Sequence, residues 1–142
     1  MEENLLEPLP DFKLYTDRTI YIATFIGGPL VAGYLAAENF KQLGQTGKAK
    51  TTWIIAIVAT IIIFATIFLI PGMEKVPNVV FPSIYTAVAQ LLVQRFQGAA
   101  IKKHIDAGGQ TYSTWRAVWI GLVIFIVFLV IIAAIILFAK QE

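Results

Sequence analysis

Five polar side chains recur along the segment SIYTAVAQLLVQRFQ, and hydrogen bonding is the chemistry that they offer. At about 100° per residue they fall within an arc of about 80° on a helix, and they form a polar stripe of Ser83, Thr86, Gln90, Gln94 and Gln97. A glutamine amide carries two donor protons and two acceptor lone pairs, and leaving them unmet in an apolar medium costs several kcal/mol. The pattern therefore predicts a helix face that meets polar groups or water rather than lipid.

Two interpretations of the polar stripe stay open. In the functional one, Ser83, Gln90 and Gln94 line a wet cavity or an oligomeric pore. In the structural one, the stripe makes interhelical hydrogen bonds inside a bundle, each worth only about 0.6 kcal/mol but common in membrane proteins. We favour the structural interpretation.

A second unusual feature is the Gly-Gly-Pro sequence inside the apolar segment FIGGPLVAGYLAAENF. Pro29 has no amide proton, so the carbonyl of Phe25 loses its usual helical partner, and the proline ring disfavours helical geometry at Gly28. We predict a kink at Gly27-Gly28-Pro29. A broken helix can bind an ion or substrate through its exposed backbone groups, whereas small residues such as Gly33 let a neighbouring helix approach closely. Close packing is the favoured interpretation.

One ion pair is a further hypothesis. Arg95 lies about 120° from Ser83 on a helix, off the polar stripe, and Glu38 closes the first apolar run at the same predicted boundary. A Glu38–Arg95 pair is therefore geometrically allowed, although an arginine near a membrane boundary commonly extends its guanidinium to the headgroups instead. The single histidine, His104, is expected in a solvated loop or at a helix end.

The sequence offers little other material for chemistry. One histidine and no cysteine give no transition-metal cluster, and we find no nucleophile elbow, phosphate-binding glycine loop or paired carboxylates. We therefore expect no enzyme activity, no cofactor and no metal site. The net charge of +2 is too small to indicate nucleic acid as a partner.

Membrane-length helices must position these residues. Of the 142 residues, 58% are hydrophobic and 14% charged, against a typical charged fraction of about 25%. The apolar residues gather in runs of spanning length, which places the spans at about 19–37, 53–70, 79–96 and 118–138. We predict an all-α integral membrane protein in which residues 1–142 form a single domain, a small bundle of four transmembrane helices with the first helix kinked.

Local signals mark several helix ends. Pro71-Gly72 should stop the second run, and Gly108-Gly109 should stop a continuation of the third helix beyond its span. Ser113 is a suitable N-cap for the last helix.

The orientation follows from the lysines and arginines, which favour the cytoplasmic side of a membrane. Seven of them lie on or beside the loops 38–52 and 97–117, namely Lys41, Lys48, Lys50, Arg95, Lys102, Lys103 and Arg116. Four lie on the other side, namely Lys13, Arg18, Lys75 and Lys140. We therefore expect a multi-pass protein of the plasma (inner) membrane with both loops cytoplasmic and both termini outside.

Two functions fit these expectations. The first is a structural or accessory subunit of a larger membrane complex. The alternative is a homo-oligomeric channel or carrier whose path is lined by the polar stripe. The expected partners are the lipid bilayer and either further copies of the chain or other membrane-protein subunits.

Overall fold

A computed structural model describes residues 9–141 of the protein. Its regular structure is helical, and the described part of the chain contains no β-strand apart from an isolated bridge between Leu14 and Thr111. The all-α prediction is confirmed. The helices are α1 (Asp17–Gly27), α2 (Pro29–Gln42), α3 (Thr46–Leu69), a short 3-10 helix (Met73–Lys75), α4 (Val80–Asp106) and α5 (Thr114–Ala139).

Two of these helices, α3 and α5, are long and apolar enough to cross a membrane. The longest helix is α4, with 27 residues, but it is not in this class because polar side chains interrupt its apolar residues. The predicted helix ends agree well with the structure: α3 ends just before Pro71-Gly72, α4 ends just before Gly108-Gly109, and the Ser113 hydroxyl caps α5 by accepting from the Trp115 amide.

The chain reverses direction between α1 and α2. The Tyr15 amide donates to Asn39 Oδ1 over 2.8 Å, whereas one continuous helix would separate residues 15 and 39 by about 36 Å. The two helices therefore form an antiparallel hairpin, with lengths of only about 17 and 21 Å. The predicted single span over residues 19–37 is wrong, because the interruption at Gly27-Gly28-Pro29 is a complete reversal rather than a kink.

Gly28 makes this reversal possible. Its φ of 88° and ψ of −175° lie in a region that only glycine adopts readily. Its amide still donates to the Thr24 carbonyl over 2.8 Å and so completes the end of α1. Pro29 then starts α2 at a position where no amide proton is needed.

The hairpin is the centre of the fold. Helix α1 packs against α4 and α5, and α2 packs mainly against α3. By contrast, no Cα atom of α3, α4 or α5 lies within 8 Å of a Cα atom of another of these three helices. One aromatic pair, Phe64 with Phe128, joins α3 to α5 across this gap, with ring centroids 4.8 Å apart. The three long helices are therefore held together chiefly through the hairpin.

This topology determines which loops and chain segments lie at the same end of the molecule. Residues 14 and 15 lie beside the α4–α5 loop, because the Tyr112 amide donates to the Leu14 carbonyl over 3.0 Å. The α2–α3 loop lies at this same end, since Tyr15 is bonded to Asn39 near the end of α2. Helix α5 leads away from it. The expectation that the chain before α1 lies opposite the two loops is therefore wrong: residues 9–16, called the N-terminal segment below, lie at the same end of the molecule as the loops.

Candidate functional site

A network of two buried amides joins three parts of the chain at the base of the hairpin. Asn39 on α2 is fully buried and Gln97 on α4 is 1% exposed. The Asn39 side-chain amide donates to the Gln97 side-chain oxygen over 3.1 Å, and the Gln97 amide donates to the Ala36 carbonyl over 2.8 Å. These bonds tie α4 to α2.

Asn39 also pairs with the backbone of the N-terminal segment. Its oxygen accepts from the Tyr15 amide and its nitrogen donates to the Tyr15 carbonyl, each over 2.8 Å. Both polar groups of a buried backbone unit are thereby satisfied by one side chain. The residue closes the hairpin at its open end, where its neutral amide holds Tyr15 and Gln97 in position.

Aromatic and cationic groups surround the network on the α5 side. The Tyr15 and Tyr112 rings stack with centroids 4.4 Å apart, and the Arg116 guanidinium lies 4.9 Å from the Tyr112 centroid. Arg116 Nε also donates to the Tyr15 hydroxyl over 3.2 Å. Burial raises the pKa of Tyr15 above its ordinary value, although the Arg116 hydrogen bond opposes this effect. The phenol therefore stays protonated at neutral pH and accepts from Arg116 as a neutral oxygen.

His104 is buried, which corrects the expectation of a solvated residue. Its ring stacks on Phe12 with centroids 4.9 Å apart, and its Nε2 lies 2.7 Å from the Gln110 carbonyl oxygen. Because a carbonyl only accepts, the proton must reside on Nε2. His104 fastens the N-terminal segment and the α4–α5 loop to the last turn of α4. The predicted position of His104 at a helix end agrees with the structure.

The structure divides the predicted polar stripe. Thr86 and Gln97 are buried and Gln90 is partly buried, whereas Ser83 and Gln94 are exposed. The Ser83 hydroxyl bonds within its own helix, to the Val79 carbonyl. The buried face of α4 is rotated from the predicted one and is formed by Thr86, Val93, Gln97, Ile101 and His104.

Three oxygens of the described chain are buried without a hydrogen-bond partner in it. They are the hydroxyls of Thr24 and Thr86 and the side-chain oxygen of Gln90. The hairpin therefore supplies hydrogen-bond partners for only part of the polar face of α4. The Gln97 side chain has its partners, whereas the side-chain oxygens of Thr86 and Gln90, nearer the start of α4, have none in the described chain.

The structure does not join Glu38 to Arg95. The Glu38 carboxylate instead accepts from the Lys41 ammonium over 3.1 Å, one turn further along α2. Arg95 is exposed on α4, as expected for an arginine whose guanidinium reaches towards solvent or headgroups.

The glycines of the predicted kink and packing segment, Gly27, Gly28 and Gly33, have different structural roles. A Cβ added to Gly27 would clash with Val31 and would lie 2.8 Å from the Gly121 carbonyl oxygen, so α1 and α5 meet backbone to backbone there. A Cβ added to Gly33 would clash with the Cβ of Ala56. Gly27 and Gly33 thus serve contacts with α5 and α3, whereas Gly28 and Pro29 serve the reversal.

A cavity of about 330 Å³ lies beyond the hairpin tip. The tip residues 26–30 form one wall, and the other walls come from α3, α5, the first turns of α4 and the α3–α4 connection. Most of its lining is aliphatic or aromatic. Glu74 and Asn78, both in the α3–α4 connection, are its most polar lining residues.

Comparison with known proteins gives no relative for this arrangement: no protein family, no curated protein and no solved structure matches the chain.

The sequence did not single out Asn39 and Tyr15. Asn39 falls just outside the predicted first span, within the predicted loop 38–52. The pattern that indicates its burial is the helical spacing of the buried residues of α2. Asn39 shares one face of this helix with Ala32, Leu35, Ala36 and Phe40. No local pattern marks Tyr15, because its role depends on a contact with a residue 24 positions away.

Proposed function

We propose that this protein is an integral membrane protein that serves as a structural or accessory subunit of a larger membrane complex. In the proposed topology, α3, α4 and α5 cross the membrane. The hairpin enters the bilayer only part-way, since neither of its helices covers the roughly 30 Å of a hydrocarbon core. Two helices of spanning length and composition support the proposal.

The distribution of basic residues also supports this topology. When the N-terminal segment shares a side with the two loops, nine of the eleven lysines and arginines lie on or near that side, and only Lys75 and Lys140 lie on the other. A four-span topology divides them seven to four. The positive-inside rule therefore favours the hairpin topology and a cytoplasmic location for this side.

The observation that carries the accessory role is the surface of α5. None of the residues in its most apolar 18-residue window is buried inside the chain. Because α5 meets the rest of the fold mainly through the hairpin near its own start, with Phe128 on Phe64 of α3 as a further contact, most of its length is available to a helix of another subunit. Membrane helices associate through close side-chain packing of such surfaces.

The channel alternative requires a different use of α4. A path between copies of the chain would need the polar stripe to face a neighbour, whereas Thr86 and Gln97 lie against the hairpin of their own chain. We therefore favour the accessory role.

Single cysteines test the topology, and the chain contains no native cysteine. Lys13→Cys, Gln45→Cys and Gln110→Cys should share one pattern of labelling by a membrane-impermeant maleimide in intact cells. Asn78→Cys and Gln141→Cys should show the opposite pattern. All five positions are exposed. Labelling of Lys13→Cys together with Asn78→Cys would overturn the hairpin topology and restore four spans.

Photo-crosslinking tests the accessory role. A photoreactive residue at Val130, which is 62% exposed on α5, should give one product of defined mass with another membrane protein. The matched control is Ile61 on α3, which is 63% exposed and should give lipid adducts alone. A product of twice the chain mass would indicate a second copy instead. Lipid adducts alone at Val130 would contradict the role.

A further inference from the structure

The cavity beyond the hairpin tip has a simple structural origin. The hairpin helices contain 11 and 14 residues, whereas α3, α4 and α5 contain 24, 27 and 26. The hairpin holds the long helices apart along its own length and then ends, so the space between them is not filled by protein. A cavity of about 330 Å³ remains.

The walls of this cavity are apolar at the depth of the hairpin tip. Ile63, Phe64 and Ile67 of α3 line it together with Ile124 and Phe128 of α5, and Phe64 packs on Phe128 with ring centroids 4.8 Å apart. Thr60 also lines it, but its hydroxyl donates to the Ala56 carbonyl over 2.7 Å and is already satisfied. Such a lining does not retain water, since an ordered water needs two to four polar partners.

The size and the openings of the cavity limit its occupant. Its volume of about 330 Å³ is at the lower end of the roughly 300–1,000 Å³ found for small-ligand sites. A helix about 10 Å across would fill that volume with about 4 Å of its length, which is less than one turn. The cavity is therefore too small to hold a helix. The cavity is partly open rather than fully enclosed, and the backbones of the long helices that form its walls stay apart.

We propose that this cavity binds one acyl chain of a phospholipid from the leaflet that contains the α3–α4 connection. The inference rests on the proposed membrane insertion, because the bilayer then supplies acyl chains where the cavity is open. The chain lies between α3 and α5 with its end at Gly28 and Pro29, and the headgroup lies towards Glu74 and Asn78. The bound lipid fills the gap between the long helices and becomes part of the fold.

Fluorescence quenching by a brominated lipid tests the proposal. The native tryptophans Trp53, Trp115 and Trp119 are replaced by phenylalanine, and Phe125→Trp places one reporter at the cavity wall. The delipidated full chain in mild detergent is titrated with phosphatidylcholine brominated along its acyl chains. We expect saturable quenching at about one lipid per chain, and Phe138→Trp, whose side chain is away from the cavity, should show only gradual quenching.

A matched pair of variants separates cavity binding from general lipid contact. Ile67→Phe narrows the cavity, whereas Ile61→Phe makes the same change on an exposed face of the same helix. Ile67→Phe should raise the lipid concentration for half-maximal quenching by about tenfold, and Ile61→Phe should leave it unchanged. Quenching that does not saturate, or that Ile67→Phe leaves unchanged, would overturn the proposal. The cysteine-labelling pattern reports membrane insertion separately, so the two proposals can fail independently.

Discussion

Asn39→Leu should destabilise the folded protein by about 2–4 kcal/mol, because it leaves two buried backbone groups of Tyr15 and the Gln97 side-chain oxygen without their partner. Leucine has the same number of side-chain heavy atoms and the same branching at Cγ as asparagine, but it is bulkier and can neither donate nor accept. We expect a lower midpoint of thermal unfolding in mild detergent. We also expect faster trypsin cleavage at Lys13 and Arg18, since the N-terminal segment is no longer fastened to α2.

Two further variants make this prediction specific to the hydrogen bonds. Asn39→Asp keeps the shape and one acceptor but removes the protons that Asn39 donates to Tyr15 and Gln97, so it should be nearly as destabilising as leucine. Gln94→Leu removes an exposed amide from α4 and should change stability by less than about 0.5 kcal/mol. Wild-type stability of Asn39→Asp would show that the network contributes little and that packing alone closes the hairpin.

The importance of Asn39 follows from the architecture. In a bundle of four spanning helices, each helix contacts two neighbours along its full length, and one lost amide is compensated by many other contacts. Here α3, α4 and α5 meet through the hairpin, and the hairpin is closed by Asn39 at its base and by Gly28 at its tip. A fault at either point should therefore separate all the long helices.

The helical class, the helix ends and the site of the chain break could be predicted from the sequence because each depends on neighbouring residues. Apolar runs determine the helices, Ser113 and Gly108 determine ends, and Gly-Gly-Pro determines the break. The angle of the break could not be predicted in this way. An apolar run of 19 residues suits a single span and a short hairpin equally well, and the choice depends on the contact between Tyr15 and Asn39.

The polar stripe on α4 could also be predicted only in part. Its helical periodicity predicts that one side of α4 faces other helices or water, and Thr86, Gln90 and Gln97 are buried or partly buried in the structure. The centre of that face was misplaced, because Ser83 and Gln94 are exposed while Val93, Ile101 and His104 are buried. The sequence prediction used only the polarity of the side chains, whereas the position of the hairpin determines which side chains of α4 are buried.

Gly33→Ala should separate α2 from α3 and destabilise the protein by about 1–3 kcal/mol, as overpacking of a close contact does. The added methyl group would overlap the Cβ of Ala56, and the Thr52 carbonyl oxygen lies only 3.7 Å away. Gly33→Leu should be more severe and should prevent the native contact altogether. Thermal unfolding in mild detergent measures both effects. The control is Gly98→Ala in α4, whose added methyl group has its nearest neighbour at 4.0 Å and should be neutral or mildly stabilising.

A compensating change tests whether the Gly33–Ala56 contact is the cause. Ala56→Gly alone should cost about 1 kcal/mol through its lower helix propensity. Combined with Gly33→Ala, it moves the methyl group from one side of the same contact to the other and removes the overlap. The double variant should therefore be more stable than the sum of the two single losses by about 1–2 kcal/mol. Strict additivity would show that α2 and α3 relax independently at this point, and the hairpin would then hold α3 through its other contacts.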